Sequence, residues 1–184
     1  MAWDDLQRTF QDGAGAAALT TEKFRDTDLR MGFFRSNQDD ELSFEYQMPH
    51  TWDPRDEVRP HLHVVPMANG SGNVRFTGHY YWARPNVAIP ALASWTTFTV
   101  DTAFIAADQY QEKFIILPYT TAPTGTNESA VLLIALKRPG SSDAADTYDT
   151  AKDHGTVQAN IGLLSADLHF RPVKLGTETE FGPV

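Results

Sequence analysis

PHTWDPRDEVRPHLHVVPMANGSGNVRFTGHYYWA, residues Pro49 to Ala83, is the stretch on which the reading of the fold turns. Two strand-like runs, His61–Pro66 and Asn73–Ala83, flank the loop Met67-Ala68-Asn69-Gly70-Ser71-Gly72. Gly and Asn supply the positive φ that tight connections need, so the spacing predicts an antiparallel hairpin. With the loop symmetric about Gly70, His61 falls opposite His79 and His63 opposite Thr77. Side chains alternate along a strand, so Leu62 and Val64 share the other face with Phe76 and Gly78. One face is apolar, and the other carries three of the six histidines.

Outward from this stretch the pattern remains β. Leu42, Phe44, Tyr46 and Met48 alternate with Ser43, Glu45 and Gln47, the signature of a half-buried strand. Phe98, Val100 and Phe104 alternate with Thr97, Thr99 and Asp101. Residues 85–95 read as a connector, Phe114–Pro118 as a short apolar run, Thr120–Ser129 as a turn and Gly162–Arg171 as the last strand. About eight strands broken by Gly/Pro turns predict an all-β fold, an antiparallel β-sandwich of jelly-roll type. Residues 41–184 form the sandwich domain. Residues 1–40, with few apolar anchors, are expected as an extended N-terminal arm.

AVLLIALKR, Ala130–Arg138, departs from simple alternation. Val131, Leu133 and Ala135 face one way, and Leu132, Ile134 and Leu136 the other. A sheet with one wet face alternates polar with apolar, so both faces of this strand call for cover. Burying an aliphatic side chain contributes roughly 1.5–3 kcal/mol, and a second subunit is the first choice of cover, ahead of a loop. The subunit-interface residues on this reading are Val131, Leu132, Leu133 and Ile134, joined by His61, His63 and His79 on the histidine face.

Composition removes several function classes. The chain has 184 residues, a formal net charge of −9 and no cysteine. That charge opposes a nucleic-acid partner held through phosphates and an anionic membrane partner. No apolar run approaches the ~20 residues of a membrane-spanning helix, and the acidic start does not read as a secretory signal. Disulfides and thiolate metal sites are excluded.

Chemistry-bearing groups are scattered. His61 and His63, at i and i+2, share a strand face, and imidazole is a common metal ligand. Asp167 and His169 share a face of the last strand, so a His-rich metal site arises only if these two strands are neighbours. The default keeps them as sheet histidines; no metal site and no cofactor is assigned. Asp39-Asp40 and Asp143, Asp146, Asp149 and Asp153 read as solvated carboxylates. No Gly-x-Ser-x-Gly turn or P-loop occurs, so no catalytic residues are assigned. Trp52, Tyr80, Tyr81, Trp82 and Trp95 read as core or interface residues, with a sugar-binding shelf as the alternative.

Met48–Trp52, Arg59–Pro66, Gly72–Phe76 and Tyr80–Ala83 together resemble a widespread group of tailed-bacteriophage structural proteins. Ala2–Leu6, Asp143–Tyr148, Leu163–Phe170 and Gly176–Phe181 add to the likeness in the same order. The resemblance implies a non-enzymatic virion component, assembled in the bacterial host cytoplasm. It is expected to decorate the capsid or form a head fibre, as a homotrimer on the major capsid protein or another virion protein. Trp3, Leu6 and Phe10 are the expected capsid-contacting residues of the arm. A tail-associated fibre domain binding a receptor or glycan is the alternative. A metal enzyme on a cupin-like barrel ranks third, because its further Glu and His ligands find no place in the sequence.

Overall fold

The structure, a computed structural model, describes residues 4–9, 20–23, 28–36, 38–67, 72–103, 111–114, 122, 130–140, 143–148 and 160–172. Among these, ten strands form two antiparallel sheets: β1 Asp4–Thr9, β2 Thr20–Lys23, β3 Arg30–Phe34, β4 Asp39–Gln47, β5 Arg59–Pro66, β6 Asn73–Ala83, β7 Thr96–Ala103, β8 Gln111–Phe114, β9 Val131–Pro139 and β10 Ile161–Phe170. A six-stranded sheet runs β2-β3-β10-β5-β8, with β1 also paired to β10. The second, four-stranded sheet runs β4-β9-β6-β7. The fold is an all-β sandwich, as the alternation predicts.

The predicted hairpin does not form. β5 pairs with β10 and β8, whereas β6 pairs with β9 and β7 in the other sheet. The chain crosses the sandwich between the two runs. Consequently His61 lies opposite Asp167 and Phe114, and His79 opposite Ala135 and Thr97. The apolar alternation survives because Leu62 and Val64 now meet the interior from one sheet while Val74, Phe76 and Tyr80 meet it from the other. Burial satisfies both arrangements equally; the pairing differs. The crossing needs glycine at Gly72, whose φ is +101°. A Cβ there would sit 2.4 Å from the Thr147 carbonyl oxygen.

The N-terminal boundary also shifts. β3 pairs with residues 161–163 of β10, and β1 pairs with residues 165–170 along the same strand. Met31, Phe33 and Phe34 are buried, and Leu6 packs against the main core. The strands among the described residues of 1–40, β1, β2, β3 and the start of β4, therefore belong to the sandwich, and the division at residue 40 does not separate an arm from a domain. Trp3 and Phe10 lie outside the described residues.

The core is packed between the sheets. Phe34 of β3 meets Phe76 of β6 edge-on, with ring centroids 5.3 Å apart. Trp52, in the loop after β4, stacks on Trp82 at 5.1 Å with an interplanar angle of 5°. Offset stacking and edge contacts are the favoured aromatic geometries. A smaller cluster of Met31, Phe33 and Val65 occupies the opposite face of the six-stranded sheet.

Gly78 marks where β6 lies close beside β9, its neighbour in the sheet. A Cβ there would lie 2.3 Å from the Ala135 carbonyl oxygen and 2.6 Å from the Phe98 ring. A backbone oxygen in a paired strand yields little, so Gly78→Ala is expected to cost about 1–3 kcal/mol by overpacking. Urea denaturation checks this; an unchanged midpoint would show that the two strands separate freely there.

Charged side chains are buried where the sequence reading left them wet. Arg138 and Asp146 are both buried. Arg138 donates from Nε to Asp146 Oδ2 (2.9 Å), from Nη2 to Oδ1 (3.0 Å) and from Nη1 to the Phe34 carbonyl (3.0 Å). Asp40 is fully buried and accepts hydrogen bonds from the Arg35 backbone amide at 2.6 Å and from its guanidinium. Asp143 is bound by Arg75, 3.3 Å away. These contacts hold the described part of the acidic loop against the strands. Asp149 and Asp153 lie outside the described residues.

Candidate functional site

Two surfaces gather the residues singled out in the sequence. The first is the outer face of the four-stranded sheet. Leu132 and Ile134 point inward and are 0% and 1% exposed. Burial in the protein's own core leaves these two no surface to offer another subunit, which corrects their assignment as interface residues. Val131, Leu133 and Ala135 alternate with them and lie half-buried on the outer face. Register extends the apolar strip toward β6, through Tyr81 and Ala83, and borders it with exposed polar residues on β4. Leu133 is flanked by Glu45 and Tyr81, Val131 by Gln47 and Ala83, and Ala135 by Ser43 and His79.

Tyr81 stacks on Trp95 at 5.8 Å, and Trp95 Nε1 donates to the Pro90 carbonyl at 3.1 Å. That hydrogen bond anchors the connector 84–95, which exposes Val87, Ile89 and Leu92. Of the five aromatics considered for a shelf, Trp52, Tyr80 and Trp82 are core residues. Only Tyr81 and Trp95 remain on the outside. At the far end of the same sheet Arg75 binds Asp101 through two 2.7 Å contacts. Hydrogen bonding to that guanidinium holds the Asp101 carboxyl below its ordinary range.

The second surface is the histidine face of the six-stranded sheet. His61, His63 and Val65 alternate with the core-facing Leu62 and Val64, so they point away from the interior. The neighbouring strand is β10, in a register that sets Asp167 against His61 and Ser165 against His63. His61 Nε2 lies 2.9 Å from His63 Nε2. His63 Nε2 lies 2.9 Å from Asp167 Oδ2. His61 and Asp167 are each 1% exposed, and His63 is partly exposed. The His61 and His169 rings are 4.3 Å apart and tilted by 53°.

The condition set by the sequence, that the His-x-His strand and the last strand be neighbours, is thus met. It is met through direct pairing of β5 with β10. His79, expected on the same face, sits on the other sheet. No local signal joined them: Ser165, Asp167 and His169 alternate with Ala166, Leu168 and Phe170, the pattern of a half-buried strand, which does not show that β10 is central in its sheet. Leu6, expected to reach a capsid, packs against this protein's own core.

No protein-family model matches the chain, and no curated protein matches it.

Proposed function

We propose that this protein is a self-associating structural component of a tailed-bacteriophage virion, a capsid decoration or head-fibre protein acting as a homotrimer. The observation that carries the reading is the outer strip of Val131, Leu133 and Ala135 with Tyr81 and Trp95 beside it. In the single chain these side chains are only half-buried, and covering them with a second subunit removes apolar surface from water. The jelly-roll reading is supported by the strand orders: β3 to β10 fall as 3-10-5-8 and 4-9-6-7, eight strands divided between two sheets. The sequence likeness, which runs in order through most of the chain, supports the virion assignment.

A decoration protein works without chemistry. Shape and apolar contacts add buried area between neighbouring shell subunits, and binding to the assembled state alone stabilises that state by mass action. The glycan-binding alternative is supported by the stacked pair Tyr81 and Trp95, and it ranks second because the other three aromatics are internal.

The test is molar mass in solution by light scattering, with labelled protein located on particles by electron microscopy. Wild type is expected to run as a trimer. Leu133→Asp is expected to keep its circular dichroism and run as a monomer, because a charge placed in an apolar contact opposes it. A wild-type monomer that does not bind shells would end this reading.

A further inference from the structure

We propose that His61, His63 and Asp167 bind one divalent first-row transition-metal ion. The site lies on the sheet opposite the outer strip and does not depend on self-association. Three observations carry it: the donor set, the hydrogen-bond arithmetic and a buried oxygen.

Two imidazoles and one carboxylate make a recurrent three-ligand set for zinc and for ferrous iron with positions left open. Ligand atoms about 2.1 Å from a common zinc ion stand roughly 3–4 Å apart. The nearest nitrogen and oxygen pairs here are 2.9 Å apart, and all three ligand atoms lie within 4.8 Å of one another. Small rotations of the side chains bring them to one ion.

The hydrogen-bond arithmetic points the same way. His63 Nε2 is 2.9 Å from both His61 Nε2 and Asp167 Oδ2. A ring nitrogen carries at most one proton. A single proton on His63 Nε2 must then be shared between Asp167 Oδ2 and His61 Nε2 in a weaker three-centre bond. One cation at the shared focus satisfies all three atoms with both nitrogens deprotonated. His61 Nδ1 lies 3.4 Å from the Arg59 carbonyl. A proton on Nδ1 directed there leaves Nε2 as the ligating nitrogen, the usual outer-shell arrangement for a metal-bound histidine.

The third observation is independent of the first two. Asp167 is 1% exposed, and its Oδ1 is buried without a hydrogen-bond partner among the described residues. A buried carboxylate oxygen left without a donor is costly, and a cation beside it offsets that cost. Since β5 and β10 are paired neighbours, a bound ion would tie the middle of the six-stranded sheet and leave the partly exposed His63 side as its entry.

The experiment uses the full chain, stripped with a chelator and titrated calorimetrically with zinc and with cobalt(II). One equivalent per chain is expected. Cobalt should give the visible absorption of a site of low coordination number, and the thermal midpoint should rise with zinc concentration. Loss of an outer-shell partner alone weakens metal sites 10–100-fold, so His63→Ala and Asp167→Asn are expected to weaken zinc binding by roughly tenfold or more. His79→Ala, on the other sheet, should bind as wild type does. Wild type taking up neither ion, or folded His63→Ala taking up zinc as tightly as wild type, would overturn the proposal. Should both ligand variants fail to fold, the wild-type cobalt spectrum decides: an unchanged aqueous cobalt spectrum counts against the site.

Discussion

Asp146→Ala is expected to lower the free energy of unfolding by about 3–5 kcal/mol, the usual consequence of leaving one member of a buried ion pair alone. Asp146 takes two guanidinium hydrogen bonds from Arg138 and a third, at 3.2 Å, from the Arg75 backbone amide. Arg138 has no exposed surface. Its guanidinium does not lose its proton within the working pH range, so the charge stays when its partner is removed. A neutral acceptor such as the Phe34 carbonyl satisfies a donor but does not balance the charge. Urea denaturation followed by tryptophan fluorescence reads the loss, since Trp52 and Trp82 lie in the core. A double variant, Arg138→Met with Asp146→Ala, is expected to recover part of the stability by removing the stranded charge. A loss under ~1 kcal/mol in the single variant would show that the Asp143–Tyr148 segment opens and lets water reach Arg138.

Ile134→Asp is expected to be about as damaging, again about 3–5 kcal/mol, and to prevent accumulation of folded protein. Ile134 is 1% exposed and lies between Phe44 and Tyr80 across the sheet. A carboxylate there has no cation to pair with among these neighbours, and protonating it still leaves a polar group among hydrocarbon. The neighbouring change, Leu133→Asp, faces the other side of the same strand. It is expected to leave the fold intact and act on association. The two variants, one residue apart, therefore separate folding from assembly. Circular dichroism and light scattering on both give the answer; equal unfolding by both would mean that the outer face is as deeply packed as the inner one.

Much of this architecture was legible in single strands. Alternation in Leu42–Met48, in Thr96–Val100 and in both runs of Pro49–Ala83 named the core-facing residues, with Phe44 and Val100 only partly buried, because side-chain direction repeats every two residues and needs no knowledge of partners. The doubly apolar run Val131–Leu136 was likewise recognisable as covered on one face by the core. Of the four interface residues expected from this strand, its outer face keeps Val131 and Leu133, while Leu132 and Ile134 belong to the core.

What a strand pairs with is a different matter. Leu62 and Val64 bury the same surface whether Phe76 stands beside them in a hairpin or across the gap in the opposite sheet, so pattern alone could not choose. Topology chose the second, and it moved His79 away from His61 while bringing Asp167 to it. The carboxylates follow the same logic. Asp40 and Asp146 read as solvated and Asp167 as a strand-face residue, because the sequence does not show which cation or ligand set the fold will enclose with each of them. Arg35 stands five residues from Asp40 and Arg138 eight from Asp146, yet only the folded strands enclose these pairs, and the two histidines reach Asp167 only through the pairing of β5 with β10. Local periodicity thus determined which side of each strand is greasy, and the tertiary structure decided which polar groups were enclosed and with whom.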